Sequence, residues 1–143
     1  MNRLSALQRA LAAEEPLPRV RGLIPDDGEM EQQVVVYAFA CILETGSSGL
    51  SILFDRFEEE ELEKIDGALE SIGAKRTLGD FRSLSAAFQE AIADGEDRGD
   101  AAKRLVAQAD AQRIDRGAEG HVQEMKERLL DFCNRNIEAL AAG

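Results

Sequence analysis

The sequence predicts an all-α fold, and three observations carry that expectation. Apolar residues make up 44% of the 143-residue chain but aromatics only 5%, so Ala and Leu must supply most of the packing. A β-sandwich would draw on more Val, Ile, Thr and Tyr. Apolar residues recur at spacings of three and four, and no stretch alternates well enough to be a strand. Gly and Pro punctuate the stretches in between. The expectation is a single compact domain of six to seven helices over residues 1–143. Residues 1–18 would form an N-terminal helix with a Pro-bounded link, and residues 26–143 the core. A domain of this length buries about two-thirds of its unfolded surface, so it needs no disulfide or metal to hold together.

In chain order, Leu4, Leu7 and Leu11 give Asn2 to Ala13 one apolar stripe, a short helix that Pro16 and Pro18 end in an extended link. Residues 19–29 read as a breaker-rich loop, with Asp26 or Asp27 as N-cap of the next helix. That helix, about 30–44, is apolar on nearly all sides from Val34 onward, which suits a central position. Thr45-Gly46 would end it, followed by a Ser47-Ser48-Gly49 turn and one or two helical turns over Leu50–Phe57. Leu62, Ile65, Leu69 and Ile72 define the buried stripe of a helix from about Glu58, stopped at Gly73. Thr77 to Asp80 has the form of a capping box opening a helix with Leu78, Phe81, Leu84, Phe88 and Ile92. After a charged loop at Glu96–Asp100, a helix runs to about Arg116. A long C-terminal helix from about His121 buries Val122, Met125, Leu129 and Phe132, and continues to Ile137 and Leu140.

The net charge of −11 is the unusual total, and it is concentrated. Residues 1–25 carry +2 and residues 101–143 are neutral, whereas residues 26–100 hold nineteen acids against six bases, for −13. Direct nucleic-acid binding is disfavoured, because its affinity comes from Lys and Arg neutralising phosphates. A basic protein partner has the complementary sign. The longest apolar run, Val34–Leu43, is about half of a membrane span, which argues against membrane insertion. Cys41 and Cys133 are too few for a disulfide framework or zinc site, so a reducing cytoplasm is the expected location and Cys41 packs as a small hydrophobe.

Catalytic signatures are absent. Gly46-Ser47-Ser48-Gly49 lacks the Gly-x-Ser-x-Gly of a nucleophile elbow and the Gly-Lys-Ser/Thr of a phosphate loop, and reads as an interhelix turn. His121 is the only His, near an expected helix start and exposed there. No zinc or calcium pattern occurs, and acidic pairs are too numerous for any one to mean catalysis. The expectation is a protein that is not an enzyme and uses no cofactor.

On the helix from Glu58, the residues Glu59, Glu63, Asp66 and Glu70 fall at i, i+4, i+7 and i+11 and line one edge over about 16 Å. Burying the apolar stripe leaves that row exposed. It serves either as a solvated face for solubility or as an imitation of phosphates. Duplex DNA carries about one charge per 1.7 Å of axis, so Asp55, Glu60, Glu90, Asp94, Glu96, Asp97 and Asp100 would have to join the row in space. The candidate partner-binding residues are Glu59, Glu63, Asp66, Glu70, Asp55 and Glu60.

The stretch Glu44–Ala74 resembles the signature of the DNA mimic protein 19-like family, domain of unknown function 4375. Glu44 fits the leading Glu of that pattern and Gly49 its second Gly. Leu53 and Phe54 stand at an aromatic pair, and Ala68, Leu69, Ile72, Gly73 and Ala74 match its closing Ala-Leu-x-x-Ile-Gly-Ala. Ser47 and Ser48 replace Asn-Gly, and Leu50 replaces Phe. The resemblance implies a helical protein that occupies the basic surface of a DNA-binding protein. The alternative is an interaction or immunity-type helical module whose acidity serves only solubility. Monomer and homodimer both stay open.

Overall fold

A computed structural model describes residues 2–142. Among them the chain forms ten α-helices and a 3-10 turn, with no strand. The helices are α1 (Arg3–Leu11), α2 (Pro16–Leu23), α3 (Met30–Ser48), α4 (Leu53–Arg56), α5 (Glu59–Ile72), α6 (Lys75–Ala93), α7 (Arg98–Ala107), α8 (Ala109–Asp115), α9 (Ala118–Arg135) and α10 (Ile137–Ala141). Helix α3 packs on α5 and α9, α5 and α9 pack on α6, and α1 rests on α2 and α10. One continuous cluster of buried side chains runs from Leu7 to Leu140. Phe54 of α4 anchors it by stacking on Phe81 at 5.3 Å and meeting Phe88 at 5.2 Å between ring centroids. No single helix among the described residues is long and apolar enough to cross a membrane.

The all-α class stands, but ten helices replace the expected six to seven, and the differences have identifiable causes. Pro16 and Pro18 open a helix rather than an extended link. Both lie in the first turn of α2, where backbone N–H groups have no intrahelical acceptor and the fixed φ of proline already suits a helix. The expected loop over residues 19–29 is therefore helical as far as Leu23, and Leu17, Val20 and Ile24 are buried.

Helix α3 is capped by Glu29, not by Asp26 or Asp27. The Glu29 N–H donates to Gln32 Oε1 at 3.0 Å, and the Glu29 side chain accepts from the backbone N–H of Gln32. The helix also runs through Gly46, Ser47 and Ser48, so the expected turn there is its last turn. It ends at Gly49, whose φ of 90° closes it, and the chain bends by 118° into the 3-10 turn (Leu50–Ile52) and α4. Asp115 of α8 then receives Ser51 N–H at 2.9 Å and Ser51 Oγ–H at 2.5 Å, covering the start of this short helical pair. A Cβ on Gly49 would lie 2.7 Å from the Asp115 carboxyl carbon, so glycine is required there twice over.

Helix α5 begins with a capping box between Glu58 and Glu61 and ends at Gly73 in the left-handed region. Gly73 N–H bonds Glu70 O and Ala74 N–H bonds Leu69 O, both at 3.1 Å, a Schellman closure. Leu62, Ile65, Leu69 and Ile72 are buried as their spacing predicts. The expected capping box at Thr77–Asp80 does not form, because α6 has already begun at Lys75 with no side-chain cap of its own. Glu124 of α9 supplies one instead, taking the N–H groups of Arg76 at 3.1 Å and Thr77 at 2.7 Å.

The remaining two extra helices come from breaks without glycine or proline. Gln108 is extended (ψ 146°), which separates α7 from α8 and lets Leu105, Ala111 and Ile114 all reach the core. Asn136 (φ −118°) interrupts the C-terminal helix and bonds its own side chain back to Phe132 O at 2.9 Å. Gln32, buried in α3, spans the fold by donating to Leu140 O at 2.9 Å and Ala142 O at 3.0 Å.

Candidate protein-binding face

The capping box commits Glu58 and Glu61 to starting α5, with Glu58 N–H on Glu61 Oε1 at 3.1 Å. With the stripe of α5 against the core, Glu59, Glu63, Asp66 and Glu70 lie on the side facing α6. The two helices run antiparallel, since Arg82 of α6 meets Asp66 and Glu70 while Ser85 and Gln89 lie opposite Glu59 and Glu63. Between them is a cleft of about 380 Å³ lined by Glu59, Glu63 and Asp66, with Leu62 and Phe81 as its apolar lining. Three of the four acids expected to act together share this one cleft.

The row is not bare. Arg82 holds Asp66 in a two-pronged bond, with Nη2 at 2.9 Å from one oxygen and Nε at 3.1 Å from the other, and its Nη2 is 3.6 Å from Glu70. The bond to Asp66, reinforced by the Asp66 and Glu70 charges, holds the Arg82 guanidinium above its ordinary range. At the other end Arg98 approaches Glu59 at 4.0 Å and lies over the Phe88 ring, 5.0 Å from its centroid. Glu63 stands between the two arginines and makes no ion pair among the described residues.

Asp55 is exposed on α4 and shares a depression of about 210 Å³ with Glu58, Arg98 and Gly99, so Arg98 stands between it and Glu59. Glu60 is exposed on the first turn of α5, next to the row. Lys64, the one cation inside the acidic stretch, leaves this face altogether, with its ammonium 5.5 Å from the Tyr37 ring centroid. Taken by themselves, the six candidate acids outnumber Arg82 and Arg98 by four.

Some of the other acids have structural employment instead. Glu96 pairs with Arg104 at 2.6 Å, and Asp97 caps α7 by accepting Gly99 N–H at 3.1 Å. Glu90, Asp94 and Asp100 remain exposed. Sequence spacing did not indicate that Arg82 and Arg98 would bracket the row. The available signal was that these are two of only six bases in the acidic segment.

His121 departs from expectation, being buried at 3% exposure with Nε2 2.8 Å from Asp80 Oδ2. Its place in the first turn of α9 faces α6, which is why it is enclosed. Cys41 and Cys133 are both buried, and desolvation pushes each thiol up to about 12. Among the described residues no group of His, Cys, Asp and Glu is placed to hold a metal ion. No family model, curated protein or solved structure matches this chain.

Proposed function

We propose that this chain is a non-enzymatic acidic binding protein whose α4–α5–α6 face engages the basic surface of a protein partner, a DNA-binding protein. The observation that carries this reading is the acidic row along the α5–α6 cleft, four carboxylates against two arginines, where Glu63 is exposed between two arginine-bound carboxylates. The row stands on a helix fixed at both ends by local caps and along its length by core packing. Its carboxylates are thus presented without a large ordering cost on binding. The resemblance of Glu44–Ala74 to DNA mimic protein 19-like chains supports the same reading. The ion pairs place limits on a literal phosphate imitation, since three of the four row acids already have an arginine beside them. A partner Lys or Arg would bind Glu63 first and compete with Arg82 and Arg98 for the rest.

The test is affinity capture at low and high salt with the native chain and with Glu59, Glu63, Asp66 and Glu70 changed to Gln. The expected result is recovery of a basic DNA-binding protein, weakened by the Gln changes and by salt, because exposed charges are screened beyond about 8 Å at physiological ionic strength. Capture that ignores both would remove the proposal.

A further inference from the structure

A second surface, remote in composition from the acidic cleft, lies where α2, α3 and α9 meet. A groove of about 540 Å³ is floored by Phe39, Leu43, Val122 and Leu130, with Pro16 and Pro18 along one wall. Leu43 on α3 is 58% exposed, one of three large hydrophobic side chains left exposed among the described residues. On α3 the positions Phe39, Leu43 and Gly46 follow helical spacing, and on α9 so do Val122, Lys126 and Leu130. The two ladders flank the groove for about 10 and 12 Å, the length of two turns of a helix. Gly46 is exposed, and a Cβ there would meet Val122 Cγ2 at 3.6 Å, so the two ladders come together at that end.

The lips of the groove are acidic. Glu14 and Glu15 stand on the α2 side and Glu127, steadied by Gln123 Nε2 at 2.9 Å, on the α9 side. Lys126 is the single cation in the lining, and its alkyl stem can cover the floor. An apolar floor between two ladders accepts the apolar side of a helix, and three acids against one base select for cations beside it. We infer that this groove docks a short amphipathic helix of a partner protein, with apolar residues on one side and Lys or Arg along its flanks. The site is independent of the α5–α6 face and would persist if that face bound nothing.

The probe is a fluorescein-labelled helix of about fourteen residues, Leu on one side and Lys on the other, followed by fluorescence anisotropy at physiological salt. The control is the same composition shuffled so that its Leu residues no longer align. The expected result is saturable binding of the ordered peptide, weakened about tenfold or more by shuffling and by Leu43→Asp. Glu14→Gln with Glu15→Gln should weaken it less, and Glu63→Gln should leave it unchanged. Leu43 is exposed, so Leu43→Asp should melt like the native chain. Equal binding of ordered and shuffled peptides, indifference to Leu43→Asp, or an equal loss with Glu63→Gln would overturn the inference. A dimer in sedimentation that Leu43→Asp dissociates would overturn it too, by assigning the groove to a second copy.

Discussion

Glu124 reaches from α9 to the start of α6, where it takes two hydrogen bonds from Thr77, one from the backbone N–H at 2.7 Å and one from the hydroxyl at 2.6 Å. Since α6 has no cap of its own, this carboxylate performs from a distance what an N-cap residue does locally. Glu124→Ala should cost about 1–2 kcal/mol in urea unfolding, the usual range for a lost cap.

The same contact has a pH signature. Burial alone would raise the Glu124 carboxyl. The Thr77 hydroxyl, the Thr77 and Arg76 N–H groups and the nearby His121 outweigh it and hold the carboxyl below its ordinary range. A group depressed on folding contributes stability above its unfolded pKa and loses it as pH falls through the folded value. Glu124→Gln should therefore be less stable than the native chain at neutral pH and converge with it in acid, measured by unfolding across that range.

Gly49 and Gly79 should respond oppositely to the same substitution. At Gly49 the φ of 90° and the Asp115 carboxyl 2.7 Å from a new Cβ make Gly49→Ala destabilising, on the order of 1–3 kcal/mol. Gly79 lies inside α6 with nothing within 4 Å of a new Cβ, so Gly79→Ala should gain about 0.5–1 kcal/mol. Thermal melts of both variants check the pair of signs.

Arg82 competes with any cation that approaches the row. Removing it by Arg82→Gln frees Asp66 and Glu70, and because the pair is exposed the native fold should be little affected. Capture of a basic partner should strengthen and its salt dependence steepen. Weaker capture in a salt series would show that Arg82 itself touches the partner.

Both thiols should be inert to an aromatic disulfide reagent at neutral pH until the chain unfolds. Their values, raised from 9.0 to about 12, mean that the unfolded chain loses thiol protons first as pH rises. Stability from this source is complete below about 9 and declines toward 12, so Cys41→Ala should blunt part of the alkaline fall.

Local chemistry made the helices with strong periodic stripes legible, and α5 is the clearest case, with its stripe, its acidic first turn and its stop at Gly73 all readable from neighbouring residues. What could not be read were ends decided elsewhere in the chain. Gly46 has the form of a stop, but α3 ends at Gly49, which lies against Asp115 more than sixty residues downstream. Thr77 looked like a cap and is instead held by Glu124. Proline both ends one helix and begins another, so Pro16 alone does not say that α2 starts there, and Gln108 and Asn136 break helices without any breaker residue. For the candidate face, periodicity gave the alignment of Glu59, Glu63 and Asp66. The opposing arginines became visible only when α6 was laid antiparallel beside α5.

Gln32 and Leu140 lie more than a hundred residues apart, yet the buried amide nitrogen of Gln32 donates to the carbonyls of Leu140 and Ala142. Synthesis delivers Gln32 more than a hundred residues before its acceptors. The emerging chain must therefore carry an apolar α3 whose amide has no protein acceptor until α10 arrives, and only then can that part of the core become dry. Shortening the chain from its C-terminal side would leave the Gln32 amide competing for water inside a hydrophobic setting. Such truncations should be purged as insoluble products long before they could be judged on binding.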